Sequence, residues 1–139
     1  MGLNAFLKQN TITPENKKVV ISKRFVENNK PIEWEIKAVS EDVNSKIRNS
    51  CTKNTVFKGK ATNDFDRNRY LQKLCAASVV FPDLKDAELQ KSYGVIGEGE
   101  LLSEMLLPGE FGYLLEIVQE INGYDADRTE EYKEEVKNS

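Results

Sequence analysis

The residues of this 139-residue chain that could do chemistry are few and poorly matched to one another. Gly94, Gly97 and Gly99 share one short segment, as a phosphate cradle would require. The Lys and Ser/Thr of a phosphate loop are missing, and the segment lies between helical stretches rather than after a strand. Asp64 and Asp66 are close enough for acid–base work, yet they stand where a helix begins and the helix dipole accounts for them. Glu98, Glu100 and Glu104, and further on Glu130, Glu131, Glu134 and Glu135, could attract calcium weakly. They lack the ligand order of an EF-hand, so solvated acidic faces are expected. Cys51 and Cys75 fall in helix-like segments and read as buried reduced thiols, with a disulfide or a reactive thiol as the alternatives. The chain has no histidine, which removes the usual general base, the commonest metal ligand and the imidazole triads. The sequence therefore predicts no catalytic residue, no metal site and no cofactor.

Charge is the stronger signal. The net charge is −3, but residues 1–60 hold 12 Lys/Arg and 6 Asp/Glu, a balance of +6. Residues 61–123 hold 5 and 11, a balance of −6, and residues 124–139 hold 3 and 6, a balance of −3. Two halves of opposite sign form solvated faces, or attract each other within one fold or between neighbouring copies. The basic residues are dispersed and the total is acidic, so nucleic acid is not an expected partner. No run of 18 apolar residues occurs, and the apolar stretch in MGLNAFLKQN is too short for a secretory leader. No membrane partner and a cytoplasmic setting are expected.

The elements follow from hydrophobic period. Residues 1–18 read as an arm in which Leu3, Phe6 and Leu7 make a small helical patch before a polar stretch broken by Pro14. The arm packs on its own domain, anchors a partner, or does neither. A single globular domain is expected over 19–123. Val19, Ile21 and Phe25 alternate, as do Ile32, Trp34, Ile36 and Ala38, so 19–25 and 32–39 should pair as a hairpin turned by Asn28-Asn29. Trp34 is expected to anchor the core. The helical part covers 40–123. Ser40 caps a helix carrying Val43, Ile47 and Cys51. Residues 53–63 read as a loop with at most a short strand at Val56-Phe57. A helix from Asn63 or Asp64 carries Tyr70, Leu71, Leu74, Cys75 and Val79 up to Phe81-Pro82. Asp83 and Asp86 resemble a capping box for a short helix that Tyr93-Gly94 closes. Leu101, Leu102, Met105 and Leu106 form the next apolar stripe. Pro108 then opens a last helix carrying Phe111, Leu114, Leu115, Val118 and Ile121, which Gly123 ends. Residues 124–139 read as an acidic flexible tail. The expected class is α+β, mainly α, with about five helices and one N-terminal antiparallel β-hairpin.

Four stretches also carry a resemblance. They are the leading L-x-x-F-L-K at 3–8, SKRF with KPIEWEIKAVSED at 22–25 and 30–42, SCTK at 50–53, and the helical block 70–123 with FPDLKDAELQKSYGV and EMLLPGEFGYLLEIVQEINGYD. In their order and spacing these stretches resemble the XkdN-like tail assembly chaperones of contractile-tailed phages and prophages, over roughly residues 3–125. None is a catalytic motif. The resemblance implies a non-catalytic factor, absent from the mature virion and acting in the bacterial host cytoplasm. It implies that the protein binds the tape measure protein and keeps it soluble during tail morphogenesis. It also implies that a frameshifted longer form would recruit the tail tube protein. Association between copies is left open. The partner surface implied is the arm, Leu3, Phe6 and Leu7, together with Leu102, Met105, Phe111 and Tyr113 of the last two helices. The competing readings are a structural tail or baseplate-adaptor component retained in the virion, a small enzyme, and a transcription regulator.

Overall fold

Trp34 and Ile36 alternate with Glu33, Glu35 and Lys37, and in the computed structural model, which describes residues 2–124, that alternation becomes the centre of the fold. The strands are β1 (Lys17–Val19), β2 (Val26–Glu27), β3 (Lys30–Pro31), β4 (Trp34–Ile36), β5 (Thr52–Phe57), β6 (Lys60–Phe65) and β7 (Val79–Phe81). The helices are α1 (Glu41–Ser50), α2 (Arg67–Ser78), α3 (Ala87–Ser92), α4 (Glu98–Met105) and α5 (Pro108–Ile121). The class is mixed α+β and rich in helix, as expected. The expected tail, 124–139, lies outside the described residues except for Tyr124.

β4 is the middle strand of an antiparallel sheet ordered β1-β4-β7. Its inward side chains, Trp34 and Ile36, meet Leu74 and Cys75 of α2, Leu101, Leu102 and Met105 of α4, and Leu114, Ile117 and Val118 of α5 in one core. The expected pairing of the two N-terminal segments occurs, with Val19 opposite Trp34, and Asn28 and Asn29 take positive φ in the turn. The ladder is interrupted, however. Residues 20–25 are not a strand, because the Ser22 hydroxyl accepts from Arg24 N (3.2 Å) and donates to Glu110. Such local side-chain bonds give the backbone an alternative to the ladder. Ile21 still enters the core, and the Phe25 ring lies 6.2 Å from that of Trp34.

Four other boundaries differ from the sequence reading. The stretch 53–63, read as a loop, is most of the β5–β6 hairpin, turned by Lys58 and Gly59 at positive φ. α2 consequently starts later, with Asp66 accepting from Arg69 N at 3.0 Å. It also stops at Ser78, because Val79, Val80 and Phe81 suit a pleated edge and pair with β4. α3 is capped by Asp86, which accepts from Leu89 N at 2.8 Å, while Asp83 only turns the chain ahead of it through Lys85 N. In α1 the buried residue is Asn44 rather than Val43, since the Tyr70 hydroxyl of α2 donates to the Asn44 side chain.

Helix ends carry part of the tertiary structure. α5 closes in a Schellman motif, with Tyr124 N bonding Gln119 O at 2.9 Å and Gly123 N bonding Glu120 O at 3.1 Å. Its C-cap, Asn122, accepts from Val39 N at 2.7 Å and donates to the fully buried Ser78 hydroxyl at 3.2 Å. One amide therefore joins the exit of β4, the end of α2 and the end of α5. α4 approaches α2 closely at Gly99, where a Cβ would sit 3.1 Å from the Gln72 side chain. Cys51 and Cys75 are both buried and free, and burial pushes the Cys75 thiol up to about 12, far from a reactive thiolate.

Trp34 is 1% exposed, in the core that the sheet shares with α2, α4 and α5. Trp34→Ala should destabilise the fold by about 3–5 kcal/mol, measured by denaturant unfolding. Native tryptophan emission should be blue-shifted, and an emission maximum like that of free indole in water would contradict this placement.

Candidate partner-binding surface

The outside of the helical layer is cut by two grooves that meet at Leu71 of α2. The larger, about 690 Å³, runs between α2, α4 and the start of α5, with Leu71, Leu106, Pro108 and Phe111 as its apolar part and Arg69, Gln72 and Ser103 among its polar lining. The smaller, about 350 Å³, continues past Leu71 between α2 and the end of α5 to Phe65 at the root of the β5–β6 hairpin. There the Phe65 and Tyr70 rings lie 5.5 Å apart. Together they form an open trough with an aromatic group near each end. Its apolar floor and polar rim suit the side of an amphipathic helix better than a small molecule, which needs an enclosed site.

The sequence explains why Phe111 faces this trough. Pro108 fixes the first turn of α5, and Leu114, Ile117 and Val118 place its buried stripe. Phe111 lies at the edge of that stripe, half-buried. Tyr113 is about 200° around the helix from Phe111, so it points to solvent on the far side. Of the residues expected at a partner surface, Phe111 alone lines the trough. Leu102 and Met105 are core residues, 0% and 5% exposed, because α4 turns its whole apolar stripe onto α2 and the sheet. They belong to the packing of this fold rather than to its surface. Leu3, Phe6 and Leu7 stand exposed on two short 3-10 turns at Asn4–Phe6 and Lys8–Asn10, apart from the core. Leu71 and the hairpin root were not picked out from sequence. Leu71 is one of six apolar positions on α2, and nothing local marks it as one of those left half-covered.

The start of α5 is held by an ionic cluster. Arg24 reaches Glu110 with Nε–H at 3.2 Å and a terminal guanidinium nitrogen at 2.5 Å, and donates to Met105 O at 2.8 Å. Ser22 donates to the same carboxylate, and Leu107 N donates to it at 2.8 Å in half of a capping box. The Arg24 hydrogen bonds, then that of Ser22, then the Leu107 amide, hold the Glu110 carboxyl at about 2. This cluster ties the irregular 20–25 segment to the helix that presents Pro108 and Phe111. Around the trough, Tyr70 is pushed up, chiefly by burial. Gly94 and Gly97 take positive φ in turns and Gly99 serves the α2–α4 contact, so the glycine segment has structural work to do. Among the described residues no group of three or more acidic, thiol or imidazole side chains converges as metal ligands would, and no helix is long and apolar enough to cross a membrane.

Comparison with known proteins gives concordant results. Residues 3–137 match the model of the phage XkdN-like tail assembly chaperone protein family. The match extends beyond Asp125, where the resemblance read from the residues stops. The phage-like element PBSX protein XkdN of Bacillus subtilis strain 168 is 30% identical over 140 residues, spanning 98% of this chain and 93% of that protein. The uncharacterized protein YqbN of the same strain is 29% identical over the same shares of each chain. The crystal structure of YqbN superposes with a TM-score of 0.78 at 27% identity, covering 90% of this chain and 98% of that one.

The Glu110 cluster has a pH signature. A carboxyl held below its ordinary value of 4.5 contributes stability that is fully present above that value and is lost as pH falls towards about 2. Glu110→Gln should therefore lower the melting temperature at neutral pH, and the gap to wild type should narrow as pH drops through that window. Melting curves of both proteins across it are the check, and a constant gap would mean that the carboxylate charge is irrelevant.

Proposed function

The chain belongs to the phage XkdN-like tail assembly chaperone family, and on that premise we propose that it binds the tape measure protein and keeps it soluble while the tail assembles, without catalysis, in the bacterial host cytoplasm. The observation that carries this reading is the open trough from Phe111 across Leu71 to Phe65. An elongated helical client offers repeated amphipathic surface, and a shallow groove with an apolar floor can take many such segments in turn. The arm, with Leu3 at 77% and Phe6 at 80% exposed, supplies a second apolar contact that the fold itself does not use. A longer, frameshifted form that engages the tail tube protein is compatible with this reading.

A structural tail or baseplate-adaptor role is the alternative. The strands bear on it. Among the described residues they form one three-stranded sheet and two two-stranded ribbons, and none of them closes into the continuous sheet that a tube wall needs. That favours a chaperone.

Co-expression with the tape measure protein should raise the soluble fraction of the client. Leu71→Glu, on the trough floor, should abolish the gain, while Leu3→Asp with Phe6→Asp should reduce it. Circular dichroism of each variant confirms that the domain stays folded. A folded Leu71→Glu protein that solubilises the client as well as wild type would remove the trough from the mechanism. Failure of the wild-type chain to solubilise it would remove the client.

A further inference from the structure

The trough ends where the described residues end. Tyr124, just after the Gly123 turn that closes α5, lines the smaller groove beside Phe65, Arg67, Tyr70 and Gln119. The chain that follows therefore starts at the edge of the trough, and the family match continues along it to residue 137. On the α5 side the wall is the line Phe111, Leu115 and Gln119, four residues apart. From Phe111 to Tyr124 that wall runs about 20 Å, at 1.5 Å per helical residue. Fifteen further helical residues would run about 22 Å by the same measure, so residues 125–139 match the trough in length.

Two pairs of charges border the trough. Arg67 and Arg69 stand on α2 with no carboxylate in reach among the described residues, and Glu116 and Glu120 stand on the exposed side of α5 with no cation in reach. Asp66 and Glu100 also line it, but Asp66 caps α2 and the Glu100 carboxylate lies back against Gly97. Residues 125–139 read DADRTEEYKEEVKNS. Asp127 with Glu130 three positions on has the form of a capping box, and Thr129, Tyr132 and Val136 recur at helical spacing. Glu131 and Glu135 each precede that stripe by one residue, and Lys133 and Lys137 each follow it by one. On a right-handed helix the two sets fall on opposite edges of the stripe. When such a helix runs back antiparallel to α5 with its stripe down, its hand puts the lysines on the α5 side, where Glu116 and Glu120 stand. The glutamates then fall on the α2 side, with Arg67 and Arg69. The parallel orientation would set Glu131 and Glu135 against the α5 glutamates.

We propose that residues 125–139 occupy the trough of their own chain as a helix antiparallel to α5, Tyr132 over Leu71 and Val136 against Phe111, and that a client segment binds by displacing them. The displacement rests on the reading of the trough as the client site. The docking does not. Two large side chains bury too little to order fifteen residues alone. Covalent attachment supplies the rest, since a tethered segment faces its site at an effective concentration that reaches the millimolar range for short links. The segment shields an apolar floor that would otherwise be adhesive, and its hold is weak enough for a longer amphipathic client to replace it.

The test uses the full-length chain. In Ser103→Cys with Val136→Cys, a short bismaleimide should join the two thiols within one 15.8 kDa molecule. It should do so at least about tenfold faster than in Ser103→Cys with Glu134→Cys, because position 134 falls on the outer face of the docked helix. Cys51 and Cys75 are buried, and the wild-type chain sets the background. Adding Tyr132→Glu to the first pair should erase the difference. As a second arm, a labelled peptide of residues 125–139 should bind a chain carrying Tyr132→Glu with Val136→Glu and not the wild-type chain, whose trough is filled. Leu71→Glu in the same variant, shown to be folded by circular dichroism, should abolish that binding. Equal rates for the two thiol pairs, or a peptide that binds wild type and variant alike, would overturn the docking. Products joined at twice the monomer mass would put the segment in the trough of a second copy and overturn it as well. The client is read separately. The chain locked through positions 103 and 136 should no longer keep the tape measure protein soluble. A locked chain that still does so would overturn the displacement and remove the trough as the client site, with the docking intact.

Discussion

Burial of one short strand face holds the molecule together. Trp34 and Ile36 of β4 are the only large side chains the sheet sends fully into the core, and three helices converge on them. Fully burying side chains of this size contributes roughly 2–3 kcal/mol each. Three residues of strand could not hold that position without help. β1 and β7 pair on either side, and Asn122 bonds both the backbone leaving β4 and the hydroxyl of Ser78. The interior thus depends on one pleated segment whose edges are closed by neighbours and whose end is fixed by a helix cap.

The periphery is built on the opposite principle. The N-terminal arm and the β5–β6 hairpin place Leu3, Phe6, Val56 and Phe57 in water, and neither adds to the core. Exposed apolar groups in an otherwise well-buried domain mark surfaces meant for other molecules. The trough lies between these two regimes. Its floor is the rim of the core, where a side chain such as Leu71 is packed on one side and open to water on the other, whereas most of the ribbon and the arm stand clear of the core. For an assembly factor this division is useful. The body keeps its packing, and the projecting parts leave apolar groups outside it. Membership of the tail assembly chaperone family fits a molecule of this design, with a stable helical body and several unpartnered apolar edges.

The Arg24–Glu110 cluster shows how an irregular segment is held in place. Residues 20–25 have the alternation of a strand, but their polar side chains find better partners on α5 than a ladder would supply. A charge-assisted, forked contact has both direction and strength. It converts a stretch without regular structure into a strap across the start of the helix.

The residues alone determined that these helices form, the Ser40 cap and the Gly123 stop, the burial of Trp34 and Ile36, the turn at Asn28-Asn29 and the break at Pro108, because each rests on local geometry or on a period that one element displays by itself. They also carried the family resemblance. The tertiary structure decided the rest. Thr52–Phe57 and Lys60–Phe65 become a ribbon because each strand completes the other, and their polar composition gives no sign of a buried face. Val79–Phe81 leaves the helix because β4 offers an open edge. Leu102 and Met105 go inside while Leu71 and Phe111 are left half-covered. All four are apolar at helical spacing, and only the position of the neighbouring helix determines which of them water reaches.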